Sequence, residues 1–273
     1  MEIRLLCFDL DGTFLDDKKN IPPENLAALG RAAERGAVIV PATGRIYSGV
    51  PAALRELPFM RWYITSNGAH IYDAAEDRTV GRAEIDPTRA VEFYEYADRL
   101  GLLYDCYQDN WGYMTARMQT AALAIIPDPG VQKLVRDLRT PVPELKRFLC
   151  EKNAPVQKLQ LYFTDMALRE RLLRELPGRF PDLNFSTSMP FNIEINAKEA
   201  TKGRAMLRLC GLLGIPPEAA MAFGDGTNDL DMIRNAGLGV AMANAAPELL
   251  AAADVITGSN NEGGFAAAVD RFL

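Results

Sequence analysis

At 273 residues, with 48% hydrophobic and 24% charged side chains, the chain has the balance of a globular protein and enough apolar material for one large or two modest cores. Thirty Lys and Arg against 36 Asp and Glu leave a formal charge of −6; no basic stripe stands out, which disfavours binding to nucleic acid by phosphate neutralisation. A single histidine, His70, and four scattered cysteines argue against a His-rich metal centre, a Ser-His-Asp triad or a disulfide framework, and fit reduced thiols in a cytoplasmic protein.

The N-terminal "MEIRLLCFDLDG" is apolar only as far as Asp9, too short for a signal peptide or a membrane span, so no membrane partner is expected. "IRLLCFD" is a continuous apolar run of the length of a buried strand, as in a parallel sheet. "PPENLAALGRAAERG" places Leu26, Leu29 and Ala33 at helical spacing, with Pro at the start and Gly36 at the end. "AVIVPATG" is a second buried strand, and "RWYITSNGAHIYD" a third, running into an Asn-Gly hairpin signal. This strand, helix, strand order argues for an α/β sheet with right-handed crossovers.

From about Ala83 to Asn192 the character changes. The aromatic residues concentrate here, "YDCYQDNWGYMTA" alternates like a hairpin turning near Asp109 and Asn110, and "VQKLQLYF" reads as a further strand. The segment is the size of an inserted α+β domain. The last eighty residues return to the first grammar. "KEATKGRAMLRLCGLLG" is helical, "AAMAFGDG" is a strand ending in acid, and "TNDLDMIRNAG" is a helix closed by glycine. "LGVAM", "APELLAAA" and "DVIT" then continue strand, helix, strand.

Polar clusters follow three of these strands: Asp9 and Asp11 after the first, Thr43, Gly44 and Arg45 after the second, and Asp225 with Asn228 and Asp229 near the C-terminus. In an open parallel sheet the ligand crevice lies beyond the carboxyl ends of the strands, so the clusters are expected to converge. Carboxylates from two strand ends make a hard-oxygen site suited to Mg²⁺, which keeps water and substrate phosphate among its ligands. Thr43, Gly44 and Lys202 add a hydroxyl, an approachable backbone N–H and a point charge for phosphate. An aspartate beside a cation and a phosphoryl group can act as nucleophile. The second acid, two residues on, can then serve as proton donor and acceptor, since residues i and i+2 of an extended segment point to one side.

"DLDGT" at 9–13, "ATGR" at 42–45, "KG" at 202–203 and "FGDGTND" at 223–229 resemble the four ordered motifs of the haloacid dehalogenase superfamily. "DLDGTFLDDKKNIP", "SNGAHIYD" and "VAMANA" resemble its Cof-type sugar-phosphatase branch. The resemblance implies a Rossmann-like parallel-sheet core, residues 1–82 and 193–273, and an inserted α+β cap, residues 83–192, that sets substrate specificity. It implies Asp9 as nucleophile and Mg²⁺ ligand, and Asp11 as general acid/base with its backbone carbonyl on the metal. Asp225 completes the ligands, and Asp229 is a ligand or supports one. Leu10 and Gly44 through their backbone, with Thr43, Lys202 and Asn228, hold the phosphate. Lys198 lies four residues earlier, but Gly203 and the helix favour Lys202. The function implied is Mg²⁺-dependent hydrolysis of small phosphorylated metabolites through an aspartyl-phosphate.

Each motif alone has a plainer meaning. Asp and Gly are common in strand-ending turns, a lysine at a helix start is usually solvated, and His70 is expected to be structural or exposed. Neither "DLDGTF" nor "DGTNDLD" has the sixth-position glycine of an EF-hand, and "GDG" does not complete a dinucleotide loop. Two other functions stay open at this point: a phosphotransferase or sugar-phosphate mutase using the same aspartyl-phosphate, and a non-catalytic phospho-ligand sensor.

Overall fold

The computed structural model describes residues 2–273. The chain begins with β1 (Leu5–Phe8), α1 (Pro23–Glu34), β2 (Val38–Pro41), α2 (Ala52–Arg55), β3 (Trp62–Thr65), β4 (His70–Asp73) and β5 (Arg78–Arg82). It continues through α3 (Pro87–Arg99), β6 (Leu103–Gln108), β7 (Trp111–Met114), α4 (Ala116–Ile125), α5 (Pro129–Asp137), β8 (Arg139–Pro141), α6 (Leu145–Lys152), β9 (Lys158–Tyr162), α7 (Met166–Arg179), β10 (Leu183–Ser186) and β11 (Asn192–Ala197). It ends with α8 (Lys202–Leu213), β12 (Ala220–Gly224), α9 (Leu230–Asn235), β13 (Leu238–Ala241), α10 (Pro247–Leu250), β14 (Val255–Ile256) and α11 (Gly264–Phe272).

These elements form two compact units. The first holds residues 1–44, 51–82 and 201–273, and the second 45–50 and 83–200. The sequence-based boundary at 192 and 193 falls at the start of β11, but β11 pairs antiparallel with both β9 and β10, so the second unit runs on to Ala200.

The first unit is built on a parallel five-stranded sheet in the order β14-β13-β12-β1-β2. Its two central strands, β1 and β12, are buried along their whole length, as the unbroken apolar runs predict for a sheet covered on both faces. Leu5, Cys7, Val40, Ala205, Leu209 and Met232 belong to one core cluster. Phe265 of α11 lies within 4.6–5.2 Å of Phe8, Phe14 and Phe223, centroid to centroid. The predicted hairpin is present, but β3, β4 and β5 form their own antiparallel sheet, linked to the parallel one by a parallel bridge between Ala42, just past β2, and Ile64.

Two helices are shorter than their periodicity suggests. The run from Lys198 becomes α8 only at Lys202, because Thr201 caps it by accepting the Arg204 N–H at 3.3 Å. "TNDLDMIRNAG" divides into a 3₁₀ turn at Thr227–Asp229 and then α9.

The second unit is a six-stranded sheet in the order β10-β11-β9-β6-β7-β8, antiparallel except for β7 with β8. The β6–β7 hairpin turns at Asp109 and Asn110, both left-handed, the backbone a two-residue turn needs. Alternation sorts the strands. Leu159, Leu161, Cys106, Ile193 and Ile195 share one core with Phe93, Tyr94 and Phe163. Opposite residues carry polar groups, with Asp105 beside Gln160 and Gln160 beside Glu194 in register. All four cysteines are free thiols. Among the described residues, no helix is long and apolar enough to cross a membrane.

Candidate active site

The first unit brings four distant segments together at the carboxyl ends of its strands. β1 ends at Phe8, and the Asp9 N–H continues the ladder by donating to the Phe223 carbonyl of β12 at 3.1 Å. After Asp9 the chain turns sharply, with the Leu10 carbonyl accepting N–H groups from Phe14 at 3.1 Å and Leu15 at 2.8 Å. Gly12 is left-handed, with φ of +85°. Space demands glycine here too, since a Cβ would press into the Asp225 carboxylate.

Lys202 is the centre of the arrangement. It is fully buried at the first turn of α8, and its ammonium donates to Asp9 Oδ1 and Asp229 Oδ1, each at 2.6 Å. The surface lysine that a helix start usually carries is therefore not what is found. Buried lysines need such partners. The seat of Lys202 is shaped by Gly68, which is left-handed and comes so close to the Thr201 carbonyl that a side chain would collide with it.

Asp229 is buried and uses both oxygens. Oδ1 accepts from Lys202, while Oδ2 accepts the N–H groups of Asp225 at 3.1 Å and Gly226 at 3.0 Å. Asp225 in turn accepts from the Thr13 hydroxyl at 2.7 Å. Each of Asp9, Asp225 and Asp229 offers an oxygen, and the three lie within 4.8 Å of one another.

The electrostatics follow from the crowding. Burial raises the Asp9 carboxyl well above the usual range; Lys202 opposes the shift, while Asp229, Asp225 and Asp11 add to it. Burial, with Asp229 beside it, pushes Asp225 up to about 7 against the Thr13 hydrogen bond. Burial would lower Lys202, but the facing carboxylates of Asp229 and Asp9 win and raise it. Three carboxylates against one ammonium leave the group short of positive charge. A small, hard divalent cation fits that oxygen donor set.

The other expected residues fall into place unequally. Asp11 does not belong to the carboxylate triplet: the turn sends it to Lys19, at 3.0 Å, with both side chains about a third exposed. Thr43 is buried, and its backbone joins β3 and the turn after it, donating to the Ile64 carbonyl at 2.9 Å and accepting from the Asn67 N–H at 3.0 Å. Gly44 and Asn228 are half-buried, and Asn228 donates to Asn67 Oδ1 at 3.3 Å. Arg45 groups with the second unit. His70 is buried between Thr79 and Arg82.

Sequence reasoning missed Thr13, which sat unassigned inside "DLDGT", and Asn67, which was read only as half of a hairpin signal. Ser66 and Asn67 both adopt left-handed backbone. Such strain at successive non-glycine residues marks a turn held in shape by its surroundings.

A family model of haloacid dehalogenase-like hydrolases matches residues 6–269. The chain belongs to the haloacid dehalogenase-like hydrolases. Phosphatase YwpJ of Bacillus subtilis is 29% identical, covering 99% of this chain and 100% of that protein. The 5-amino-6-(5-phospho-D-ribitylamino)uracil phosphatase YcsE of the same organism is 29% identical over 100% of this chain and 97% of its own. Among solved structures, the HAD subclass IIB sugar phosphatase BT4131 superposes with a TM-score of 0.80 at 25% identity, covering 98% of each chain. This hydrolase is of the Cof type, and it is a phosphatase. Two of the quoted motifs, through Asp9 and Asp229, meet on the ammonium of a third, Lys202.

Proposed function

We propose that the protein is a Mg²⁺-dependent phosphomonoesterase for small phosphorylated metabolites, working through an aspartyl-phosphate on Asp9. The observation that carries this is the buried Lys202 ammonium shared at 2.6 Å by Asp9 and Asp229, beside a carboxylate triplet within 4.8 Å. A nucleophile needs an ionised, oriented oxygen, and a phosphoryl group needs fixed positive charge around it.

In this mechanism Asp9 attacks phosphorus as the bond to the leaving oxygen breaks. Asp11 gives that oxygen its proton, then takes one from the water that splits the aspartyl-phosphate, releasing phosphate and restoring Asp9. Lys202 holds Asp9 in place and offers its charge to the phosphoryl oxygens. Asp9 and Asp225 would hold Mg²⁺, with Asp229 bracing them, since both Asp229 oxygens are already engaged. When bound, Mg²⁺ supplies charge neutralisation for the transferring group. Thr43, the backbone of Leu10 and Gly44, and Asn228 are the remaining phosphate holders.

We assign the choice of leaving group to the second unit. Its sheet combines acid, amine and amide side chains on one face, which suits a polyhydroxylated or heterocyclic group. Sugar phosphates and ribitylamino-uracil phosphates, the substrates named for two of the similar proteins, are the first classes to assay.

Asp9→Asn tests the nucleophile. The expected outcome is loss of turnover by at least ~10³-fold with folding retained, since the amide cannot form the covalent intermediate. Burst kinetics and acid-quench trapping of an acyl-phosphate would be seen in the parent and not in the variant. Hydrolysis at the parent rate by D9N would refute the assignment.

A further inference from the structure

The loop joining β1 to α1 carries Asp9, Asp11 and Thr13, and asparagines from the far end of the chain hold it in place. Asn260 is buried and donates to the Leu15 carbonyl at 3.0 Å and to Asp17 Oδ1 at 3.1 Å. Asn244 donates to the Gly12 carbonyl at 2.8 Å and accepts the Asn260 N–H at 3.0 Å. Asn261 accepts the Asp17 N–H at 3.1 Å.

The segment that supplies Asn260 is itself braced. The Ser259 hydroxyl donates to Glu262 at 2.7 Å, the Gly264 N–H to the Ser259 carbonyl at 3.1 Å, and the Thr257 hydroxyl to the Gly264 carbonyl at 2.7 Å. Within the loop, Asp16 accepts the Asn20 N–H at 2.7 Å and its side-chain amide at 3.2 Å. The Lys19 N–H donates to the Asp16 carbonyl at 2.9 Å. Lys19 is thereby held at φ of +64°, a conformation a lysine keeps only when its surroundings impose it. Its ammonium reaches Asp11 Oδ1 at 3.0 Å.

An ion pair this exposed contributes little to folding, so stability does not account for a strained backbone aimed at one carboxylate. Asn260, by contrast, is buried, and it spends its amide on backbone and loop rather than on a core. We propose that Asn244, Asn260 and Lys19 are positioning residues for proton transfer: the asparagines set the path of the loop, and Lys19 sets the direction of the Asp11 carboxylate. The inference rests on Asp11 being the acid/base of the proposed mechanism.

The test compares K19M, N260A, D11N and the D11N/K19M double variant in the full-length, Mg²⁺-loaded protein, each first checked by thermal unfolding. Two kinds of ester separate the roles, each read as the single-turnover rate of aspartyl-phosphate formation, because the later water step needs Asp11 as base whichever ester is used. p-Nitrophenyl phosphate releases a stable phenolate and needs little proton donation. An alkyl ester that the parent hydrolyses, taken from glucose 6-phosphate, ribose 5-phosphate and glycerol phosphate, needs it fully.

On the alkyl ester, K19M should lower the rate of aspartyl-phosphate formation roughly three- to fivefold, within what an exposed pair can bias, and N260A about tenfold, as loss of loop alignment does. KM should change little, the rate of aspartyl-phosphate formation from p-nitrophenyl phosphate should stay within about twofold because that step needs no acid, and K19M should add no loss to D11N. Equal losses on both esters, losses confined to KM, an additional loss in the double variant, or no loss at all would overturn the proposal. Should N260A fail to fold, K19M, on the solvent side, decides alone. A D11N variant that slows aspartyl-phosphate formation from both esters alike would instead refute Asp11 as the acid. A selective D11N loss with unselective K19M and N260A overturns the positioning role only.

Discussion

Lys202 gathers the charge balance of the site into one side chain. It is fully buried between Asp9 and Asp229, with 2.6 Å to each. Taking a charge out of water is costly, and removing one partner of such a group leaves the others uncompensated. For Lys202→Met we expect the metal-free protein to lose roughly 3–5 kcal/mol, the cost of stranding buried carboxylates, measured as a lowered urea midpoint. Mg²⁺ should recover part of that loss by replacing the missing charge, while turnover should stay abolished. Equal destabilisation with and without Mg²⁺ would mean that no cation shares the carboxylates with Lys202.

At the scale of the element, α8 shows how a helix start becomes part of a site. Thr201 caps the helix, and the next residue is Lys202. The cap therefore sets where the lysine leaves the backbone, and Gly68, lacking a side chain, leaves room for the Thr201 carbonyl. Thr201→Ala should cost about 1 kcal/mol in stability, typical of a lost hydroxyl cap. It should also lower kcat by more than that cost alone explains, because the first turn can then shift. Thr201→Ser keeps the acceptor oxygen and should restore both readouts. If T201A lowers Tm and leaves kcat untouched, α8 holds Lys202 without help from its cap.

Across the whole molecule, ligand and proton both act on stability through linkage. A cation that binds the folded carboxylates alone stabilises by an amount set by its concentration over Kd, about 2.7 kcal/mol at a hundredfold excess over Kd. Titrating Mg²⁺ should thus raise Tm, and Asp225→Asn should abolish most of the rise. Acid works elsewhere in the first unit. Asp73 is buried on β4, and Arg61 grips it through two hydrogen bonds at 2.8 Å and 2.7 Å. That grip lowers its carboxyl below the ordinary 3.8. A carboxyl depressed in the folded state stabilises at pH values above its unfolded value, and the contribution is lost as pH falls through the folded one. Urea midpoints of the parent and Asp73→Asn should therefore differ most near neutral pH and converge below about 3.8. A gap that stays constant down to pH 2 would show that the pair contributes no proton linkage.

The residues proposed for the chemistry and the strands beneath them could be read before any fold was known. "LLCF" and "AMAFG" are apolar because both sheet faces are covered, and acid at their ends can only be tolerated where something compensates it. That reasoning reached Asp9, Thr43, Lys202, Asp225 and Asp229 from order and chemistry along the chain. The site's partnerships were not accessible in the same way. Asp11 turns to Lys19 instead of joining Asp9, Thr13 steadies Asp225, Asn67 meets Asn228, and Asn260 holds the loop around Leu15 from 245 positions away. Local periodicity reports which face of a helix or strand is apolar. Which side chains share a hydrogen bond depends on how turns are aimed and on which distant segments the core packs side by side, and those are properties of the folded chain alone.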